Sequence, residues 1–183
     1  MTTPIDIVEF VQQAYGTKEF IPLHAPSFGA AEQDKVMSTL TSTFVSSVGP
    51  CVDELESTLE SFTGATKAIA TVNGTAALHA ALHLCGVSHN DLVITQALTF
   101  VATCNAIHQL GAAPVFVDVN KETLGLCPNA LTAFLEENCR RTEHGCQLIR
   151  TGQRVVSVVP MHTFGHPAQI SELSDICDLW GLS

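Results

Sequence analysis

Charged residues are scarce in this sequence, and basic residues are the scarcest of them. Charged side chains make up 14% of the 183 residues, with 8 lysines and arginines against 18 aspartates and glutamates, so the formal net charge is −10. An acidic surface repels phosphate backbones, and no basic stripe with interleaved aromatics is present, so nucleic acid is not expected as a partner. The sequence also has no apolar run of the roughly 18 residues that a membrane helix needs. We therefore expect neither a nucleic-acid-binding protein nor a membrane protein.

Paired cysteine motifs are missing, although the sequence contains seven cysteines. Their number is odd and no Cys-x-x-Cys occurs, which indicates neither a disulfide framework nor a zinc knuckle. The first 16 residues include Asp6 and Glu9 and have no basic region, unlike a signal peptide. Free thiols in apolar runs are typical of a reducing compartment, so we expect a cytoplasmic protein.

Two common nucleotide-binding signatures are also absent. No Gly-Lys-Ser/Thr follows a glycine turn, which excludes a Walker loop, and no three spaced glycines follow a predicted strand. An unrelated nucleotide-binding α/β domain stays open as an alternative, but the missing glycine pattern argues against it. No Gly-x-Ser-x-Gly elbow occurs either.

Apolar residues, by contrast, are plentiful, at 46% of the chain. Short apolar runs alternate with helical patterns, which predicts an α/β fold with a mostly parallel sheet covered by helices on both faces. Residues 143–153 are polar and are expected to form a surface loop, and residues 20–29 an extended arm. Strands are predicted at residues 68–72, 92–95, 114–119 and 155–161, and helices at residues 5–15, 30–44, 52–62, 75–85, 100–110, 128–139 and 170–180.

The strongest local signal is the turn from a predicted strand into a helix at Gly74, Thr75 and Ala76. Unpaired N–H groups at a helix start attract anions, Gly74 lets a ligand approach the backbone, and the Thr75 hydroxyl can donate. This pattern predicts a phosphate-binding turn. The alternative, which the residues leave open, is an ordinary strand-to-helix turn with Thr75 as the helix cap.

Two further candidates follow later predicted strands. In an open α/β sheet ligands bind outside the carboxyl ends of the strands, where Phe100 can stack on a flat ring. The alternative interpretation, a core phenylalanine, is the more common one. His162 can contact a polar ligand, but Gly165 and Pro167 argue against a helix that would align His162 with His166 on a metal.

Other polar residues are given no role in chemistry. His79 and His83 lie four residues apart on a predicted helix, with no carboxylate at a fitting spacing, so we interpret them as packing or surface histidines. Asp118 is expected to cap the loop that follows its strand.

Four motifs in order resemble the DegT/StrS-type nucleotide-sugar aminotransferases, which depend on pyridoxal 5'-phosphate (PLP) and have fold type I. They are Asn73–His79, Leu98–Thr103, Gly111–Val119 and Met161–Pro167. The chain is most similar to the LegC-like branch, which aminates UDP-linked 4-keto-6-deoxy sugars. The resemblance runs from about Phe20 to the last residue and implies the front part of the large domain, at residues 46–183, after an N-terminal helix and arm at residues 1–45.

The resemblance implies site residues one by one. Gly74, Thr75 and Ala76 would hold the cofactor phosphate, and Phe100 would stack on its pyridine ring. Ser47 and His162 would lie near the nucleotide-sugar substrate or the dimer partner. Family members are homodimers with active sites at the subunit interface.

The sequence departs from the family at the residues that react with the cofactor. These enzymes use an aspartate beside the pyridine nitrogen and, further on, a lysine that forms the Schiff base. None of the four lysines here matches that lysine, and the aspartate stretch would begin just beyond Ser183. We therefore expect an N-terminal segment that is inactive alone, with no catalytic residue of its own. The alternatives are a non-catalytic remnant that binds a phosphate or sugar nucleotide, or an assembly partner of a complete homologue.

Overall fold

A computed structural model describes residues 2–22, 25–143 and 145–183 of the chain. These residues form two compact units, Met1–Ala68 and Ile69–Ser183. The boundary after residue 45 that the resemblance implies stays a prediction.

The described part of the first unit contains the predicted helices, here α1 (Pro4–Tyr15), α2 (Ala30–Ser42) and α3 (Pro50–Thr63). Helix α1 begins with a capping box, because the Thr3 hydroxyl accepts from the Asp6 N–H and the Asp6 carboxylate accepts from the Thr3 N–H. None of the residues in these helices is buried. The predicted arm has no regular secondary structure over residues 20–22 and 25–29, and Leu23 and His24 lie outside the described residues.

The second unit is built on a sheet. Its strands are β1 (Leu92–Gln96), β2 (Ala113–Val117), β3 (Cys139–Thr142), β4 (Gly145–Leu148) and β5 (Arg154–Val159). Its helices are α4 (Gly74–Leu84), α5 (Val101–Gln109), α6 (Pro128–Asn138) and α7 (Ile170–Trp180).

The sheet has the order β2-β1-β5-β4-β3. Strand β1 pairs in parallel with β2 on one side and with β5 on the other, and β3 and β4 add an antiparallel hairpin at the far edge of β5. The predicted α/β class is confirmed, and the three adjacent strands β2, β1 and β5 are parallel as expected.

Successive residues of β1 point to opposite faces, and each face is covered by helices. Ile94 packs in a buried cluster with residues of α6 and α7, such as Leu131 and Leu173. Val93 packs on the other face with Leu82 of α4 and Ile107 of α5. Every residue of β1 is buried, as expected for a central strand of a parallel sheet.

The predicted first strand, residues 68–72, is not a strand in this structure. The segment joins no ladder with the strands of the described residues, and both neighbouring positions of β1 are taken by β2 and β5. Ile69 and Val72 are 78% and 88% exposed, so the expectation that this segment is buried is wrong. A strand needs a partner for its backbone groups, and an apolar sequence alone does not supply one.

The predicted loop at residues 143–153 is also corrected, because Gly145–Leu148 is strand β4. Cys139 and Cys146 are buried while Arg140 is exposed, which is the alternation of a hairpin with one face on the core. Single apolar residues between polar neighbours concealed this pattern in the sequence. His144, within the predicted loop, lies outside the described residues.

Candidate functional site

The carboxyl ends of β2, β1 and β5 meet at one edge of the sheet, because the three strands are parallel. The chain passes from β1 to β2 on one side and later to β5 on the other, so the direction of winding reverses between β1 and β5. Open α/β sheets bind their ligands outside the carboxyl ends of the strands at such a reversal. The segments that follow β1 and β5 carry the predicted Phe100 and His162.

Gln96, the last residue of β1, is completely buried at this edge. Its side-chain N–H₂ lies 2.9 Å from the Leu98 carbonyl oxygen, 3.0 Å from that of Leu124 and 3.0 Å from the Thr163 hydroxyl. Its carbonyl oxygen accepts from the Met161 N–H at 3.1 Å. One side chain therefore contacts the segments that follow all three parallel strands.

Thr163 adds a hydrogen bond between the segments that follow β2 and β5. Its hydroxyl donates to the Leu124 carbonyl oxygen at 2.9 Å while it accepts from Gln96, and the residue is buried. Leu124 and Phe164 have left-handed backbone angles, with φ of 57° and 54°, which few residues other than glycine adopt. The hydrogen bonds of Gln96 and Thr163 act directly on these two segments.

The start of α4 is the predicted phosphate-binding turn. Asn73 caps it, because its side-chain oxygen accepts from the Ala76 N–H at 2.9 Å. The cap is therefore Asn73 and not Thr75, and an ordinary capped turn stays open as the alternative to a phosphate-binding turn. The N–H groups of Gly74 and Thr75 precede the first intrahelical bonds and point out of the helix start, where an anion can accept from them. Open space surrounds the position where Gly74 would carry a side chain.

Chain direction places this turn at the same edge as Phe100. Helices α4 and α5 pack together in one cluster, and each runs into the amino end of the next strand, α4 into β1 and α5 into β2. Both helices therefore start near the carboxyl edge of the sheet. Phe100 immediately precedes α5 and is 70% exposed, so the interpretation as a core phenylalanine is wrong.

His162 is exposed in the segment after β5. Its Nδ1 accepts from the Ala168 N–H at 3.0 Å, so Nε2 carries the hydrogen of the neutral ring and is its donor. The structure thus places Gly74, Thr75, Phe100 and His162 at the carboxyl edge in one unit. Ser47 lies in a bend of the first unit, and its role near the substrate stays a prediction.

Two of the lysines are held in ion pairs within the first unit. Lys35 forms an ion pair with Glu54, and Lys67 forms one with Glu60 at 2.8 Å. In each pair, the hydrogen bond to the carboxylate and its negative charge raise the pKa of the lysine. A raised pKa keeps the amine protonated and therefore non-nucleophilic. Lys18 and Lys121 are exposed. Across residues 2–22, 25–143 and 145–183, no group of three or more metal-binding side chains is found.

A sequence profile of the DegT/DnrJ/EryC1/StrS aminotransferase family matches residues 26–183. The chain belongs to this family. EpsN of Bacillus subtilis (strain 168), named as a pyridoxal phosphate-dependent aminotransferase, is 33% identical over 162 residues, which are 88% of this chain and 39% of EpsN. This match supports the same membership.

Solved structures of other proteins share the fold. An aminotransferase from Psychrobacter cryohalolentis is 27% identical with a TM-score of 0.72, and the match covers 90% of this chain and 37% of the aminotransferase. The structure of 3-amino-5-hydroxybenzoic acid synthase is 29% identical with a TM-score of 0.70, at 89% and 38% coverage. The chain therefore spans less than two fifths of the length of these relatives. Among the described helices of this family member, none is long and apolar enough to cross a membrane.

Sequence reasoning missed Gln96, Thr163 and Asn73 as structural parts of the site. The one available signal was Gln96 itself, a polar side chain that ends the apolar run Leu92–Gln96 at the carboxyl edge.

Proposed function

We propose that this chain is the N-terminal segment of a PLP-dependent aminotransferase that acts on a nucleotide-linked 4-keto-6-deoxy sugar, and that it is inactive alone. The observation that carries the proposal is the joint placement of an open helix start at Gly74 and Thr75 and an exposed aromatic ring at Phe100 on one edge of the sheet. A phosphate and a flat ring are the two parts of PLP that such a pair recognises.

The residues present fit the binding of the cofactor but not its chemistry. The N–H groups of Gly74 and Thr75 would donate hydrogen bonds to the phosphate in the positive field of the α4 dipole, with the Thr75 hydroxyl as a further donor and Ala76 completing the turn. Phe100 would lie against one face of the ring. When bound in an aminotransferase, PLP acts as the electron sink of the reaction.

The residues that would contact the sugar substrate are also part of the proposal. His162 presents its Nε2 donor at the same edge and would hold a polar group of the sugar. A role for Ser47 near the substrate is proposed on the family resemblance alone. The LegC-like branch is proposed on the order of the four sequence motifs. A homodimer is proposed on the same family resemblance, and a cytoplasmic location on the unpaired cysteines.

Pyridoxamine 5'-phosphate tests the binding part of the proposal, because it needs no lysine to bind. We expect calorimetry to detect its binding to this chain, with pyridoxamine, which lacks the phosphate, binding at least tenfold more weakly. Phe100→Leu should weaken binding about tenfold, since an aromatic contact contributes roughly 0.5–1.5 kcal/mol. Phe62→Leu, at an exposed phenylalanine of α3, is the matched control and should leave the affinity unchanged.

Equal affinity for pyridoxamine with and without phosphate would overturn the assignment of the helix start. A second measurement tests inactivity: after incubation with PLP and reduction with borohydride, mass spectrometry should find no stoichiometric adduct on a single lysine. Such an adduct on any of Lys18, Lys35, Lys67 or Lys121 would contradict the proposal.

The alternative of an assembly partner has its own support. Large apolar side chains are exposed in both units, among them Phe62, Val72 and Leu84. Exposed apolar surface of this kind is typical of a face that another polypeptide covers. Sedimentation of the chain with and without a complete homologue distinguishes it, and binding only in the mixture would favour the partner role.

A further inference from the structure

We propose that Gln96 is a positioning residue that fixes the segment carrying Phe100 relative to the segment carrying His162. This inference rests on the proposed function, because it concerns the same edge of the sheet. It adds a residue to which neither the family match nor the sequence motifs give a role.

The orientation of the Gln96 amide follows from its surroundings. Three acceptors surround the nitrogen, whereas the Met161 N–H, which can only donate, faces the oxygen. A flipped amide would place an oxygen against the carbonyls of Leu98 and Leu124 and an N–H₂ against the Met161 N–H, and so lose these three bonds. The side chain therefore has one satisfactory orientation, in which both ends are used.

The contacts of Gln96 begin where the backbone ladder ends. The pairing of β1 with β5 stops at Thr95 and Val159, and that with β2 at Gln96 and Val117. Beyond these residues the three segments diverge, and the Gln96 side chain reaches each of them. Because it is wholly buried, its hydrogen bonds are not exchanged for bonds to water.

The segments that Gln96 contacts also contain strained backbone, which is a second observation in favour of a positioning role. Leu124 accepts from both Gln96 and Thr163, and it has a φ of 57°. Phe164 follows Thr163 directly with a φ of 54°. Non-glycine residues persist in this region only where their surroundings hold them, and such residues cluster at ligand-binding sites.

A ligand that contacts both Phe100 and His162 would depend on the distance between their two segments, which Gln96 fixes. Phe100 lies two residues beyond Leu98, and His162 lies between Met161 and Thr163, which both bond Gln96. The start of α4 makes none of these bonds, since Asn73 caps it within its own turn. Loss of Gln96 should therefore disturb ring contact and leave phosphate contact in place.

Gln96→Met keeps the length of the side chain and removes its hydrogen bonds. Thr163→Val is a milder second variant in case Gln96→Met does not fold. Thr95→Val is the matched control, because Thr95 is also buried in β1 and its hydroxyl makes a single bond, to the Val159 carbonyl oxygen.

The first measurement is hydrogen exchange followed by mass spectrometry, without ligand. In Gln96→Met we expect exchange to rise about tenfold or more at residues 97–100, 120–126 and 161–166 together, with α4 and α7 unchanged. Thr163→Val should raise it at residues 120–126 and 161–166. A uniform rise across the sheet, a rise in one segment alone, or the same pattern in Thr95→Val would overturn the proposal.

The second measurement is titration with pyridoxamine 5'-phosphate and with inorganic phosphate. Affinity for the first should fall about tenfold in Gln96→Met and affinity for the second should stay the same. A merely stabilising role would lower both or neither. If the unaltered chain binds neither ligand, the proposed function fails, and the exchange pattern alone then decides whether Gln96 positions the segments.

Discussion

Arg154, at the start of β5, donates two hydrogen bonds to Asp91, which directly precedes β1: one from Nε at 2.9 Å and one from Nη2 at 2.7 Å. Asp91 is buried and also accepts from the N–H and the hydroxyl of Ser88. The pair joins the amino ends of two parallel strands, at the edge opposite the candidate site.

The Asp91 pair makes stability depend on pH. Burial by itself would raise the pKa of Asp91, but the bonds from Arg154 and Ser88 outweigh it, so the pKa is below its ordinary 3.8. A lowered folded-state pKa gives stability that is complete above the unfolded pKa and is lost as the pH falls through the folded value. Asp91→Asn should therefore cost about 1–2 kcal/mol at pH 7, a figure reduced because Arg154 is half exposed.

Urea unfolding at pH 7 and near pH 3 measures this difference. The loss in Asp91→Asn should shrink as the pH drops below about 4, since Asp91 of the unfolded chain then takes up a proton before Asp91 of the folded chain does. Asp175→Asn, at an exposed position of α7, is the control and should change stability little at either pH. A deficit in Asp91→Asn that stays constant with pH would contradict the sign of the shift.

Gly111 and Gly152 give a matched pair for backbone strain and steric clash. Both have left-handed φ, of 72° and 73°, but a Cβ on Gly111 would lie 2.6 Å from Nδ1 of His89, while one on Gly152 would meet open space. Gly152→Ala should cost about 1–2 kcal/mol from the backbone alone, and Gly111→Ala a further 1–3 kcal/mol or so from crowding. Thermal unfolding of both variants checks this order, and equal losses would show that His89 moves aside freely.

The described helices and the three parallel strands could be predicted because each repeats a pattern along its own residues. Helix α4, for example, follows from an apolar run after a glycine turn at Gly74, although its cap is Asn73 and not Thr75. Residues 68–72 show that an apolar pattern by itself does not predict a strand. Their sequence is as apolar as that of β1, but β1 has strands on both sides, and pairing is decided by distant segments.

The candidate site shows the same limit. Gly74 and Phe100 were identified because each follows a local rule about strand ends and helix starts. The role of Gln96 depends on Leu124 and Thr163, which are 28 and 67 residues away along the chain. Contacts over such separations leave no periodic pattern, so only the folded arrangement shows them.

Thiol reactivity should separate the cysteines by burial. Cys51 and Cys85 are exposed, whereas Cys139 and Cys146 are buried. Burial raises the pKa of Cys139, and burial together with the neighbouring Cys139 thiol raises the pKa of Cys146 to about 12. Because the thiolate is the reactive form, a disulfide reagent at pH 8 should modify the exposed pair first and the buried pair only after unfolding. Rapid labelling of Cys146 in the folded chain, read by peptide mass spectrometry, would show that the hairpin opens.

Asn73 separates the capping of α4 from its proposed contact with an anion. An aspartate at this position keeps the side-chain acceptor for the Ala76 N–H and adds a negative charge that the helix dipole favours, so Asn73→Asp should leave stability within about 0.5 kcal/mol or raise it. The same charge would lie beside the amides of Gly74 and Thr75 and repel a phosphate there. We therefore expect the affinity for pyridoxamine 5'-phosphate to fall about tenfold without loss of stability, a cost of about 1.4 kcal/mol.

Gln13→Glu, on exposed α1, makes the same change in net charge and should not alter binding. If both variants weaken binding equally, only the overall charge matters and the helix start is not the phosphate site. If Asn73→Asp binds as well as the unaltered chain, the phosphate is held elsewhere.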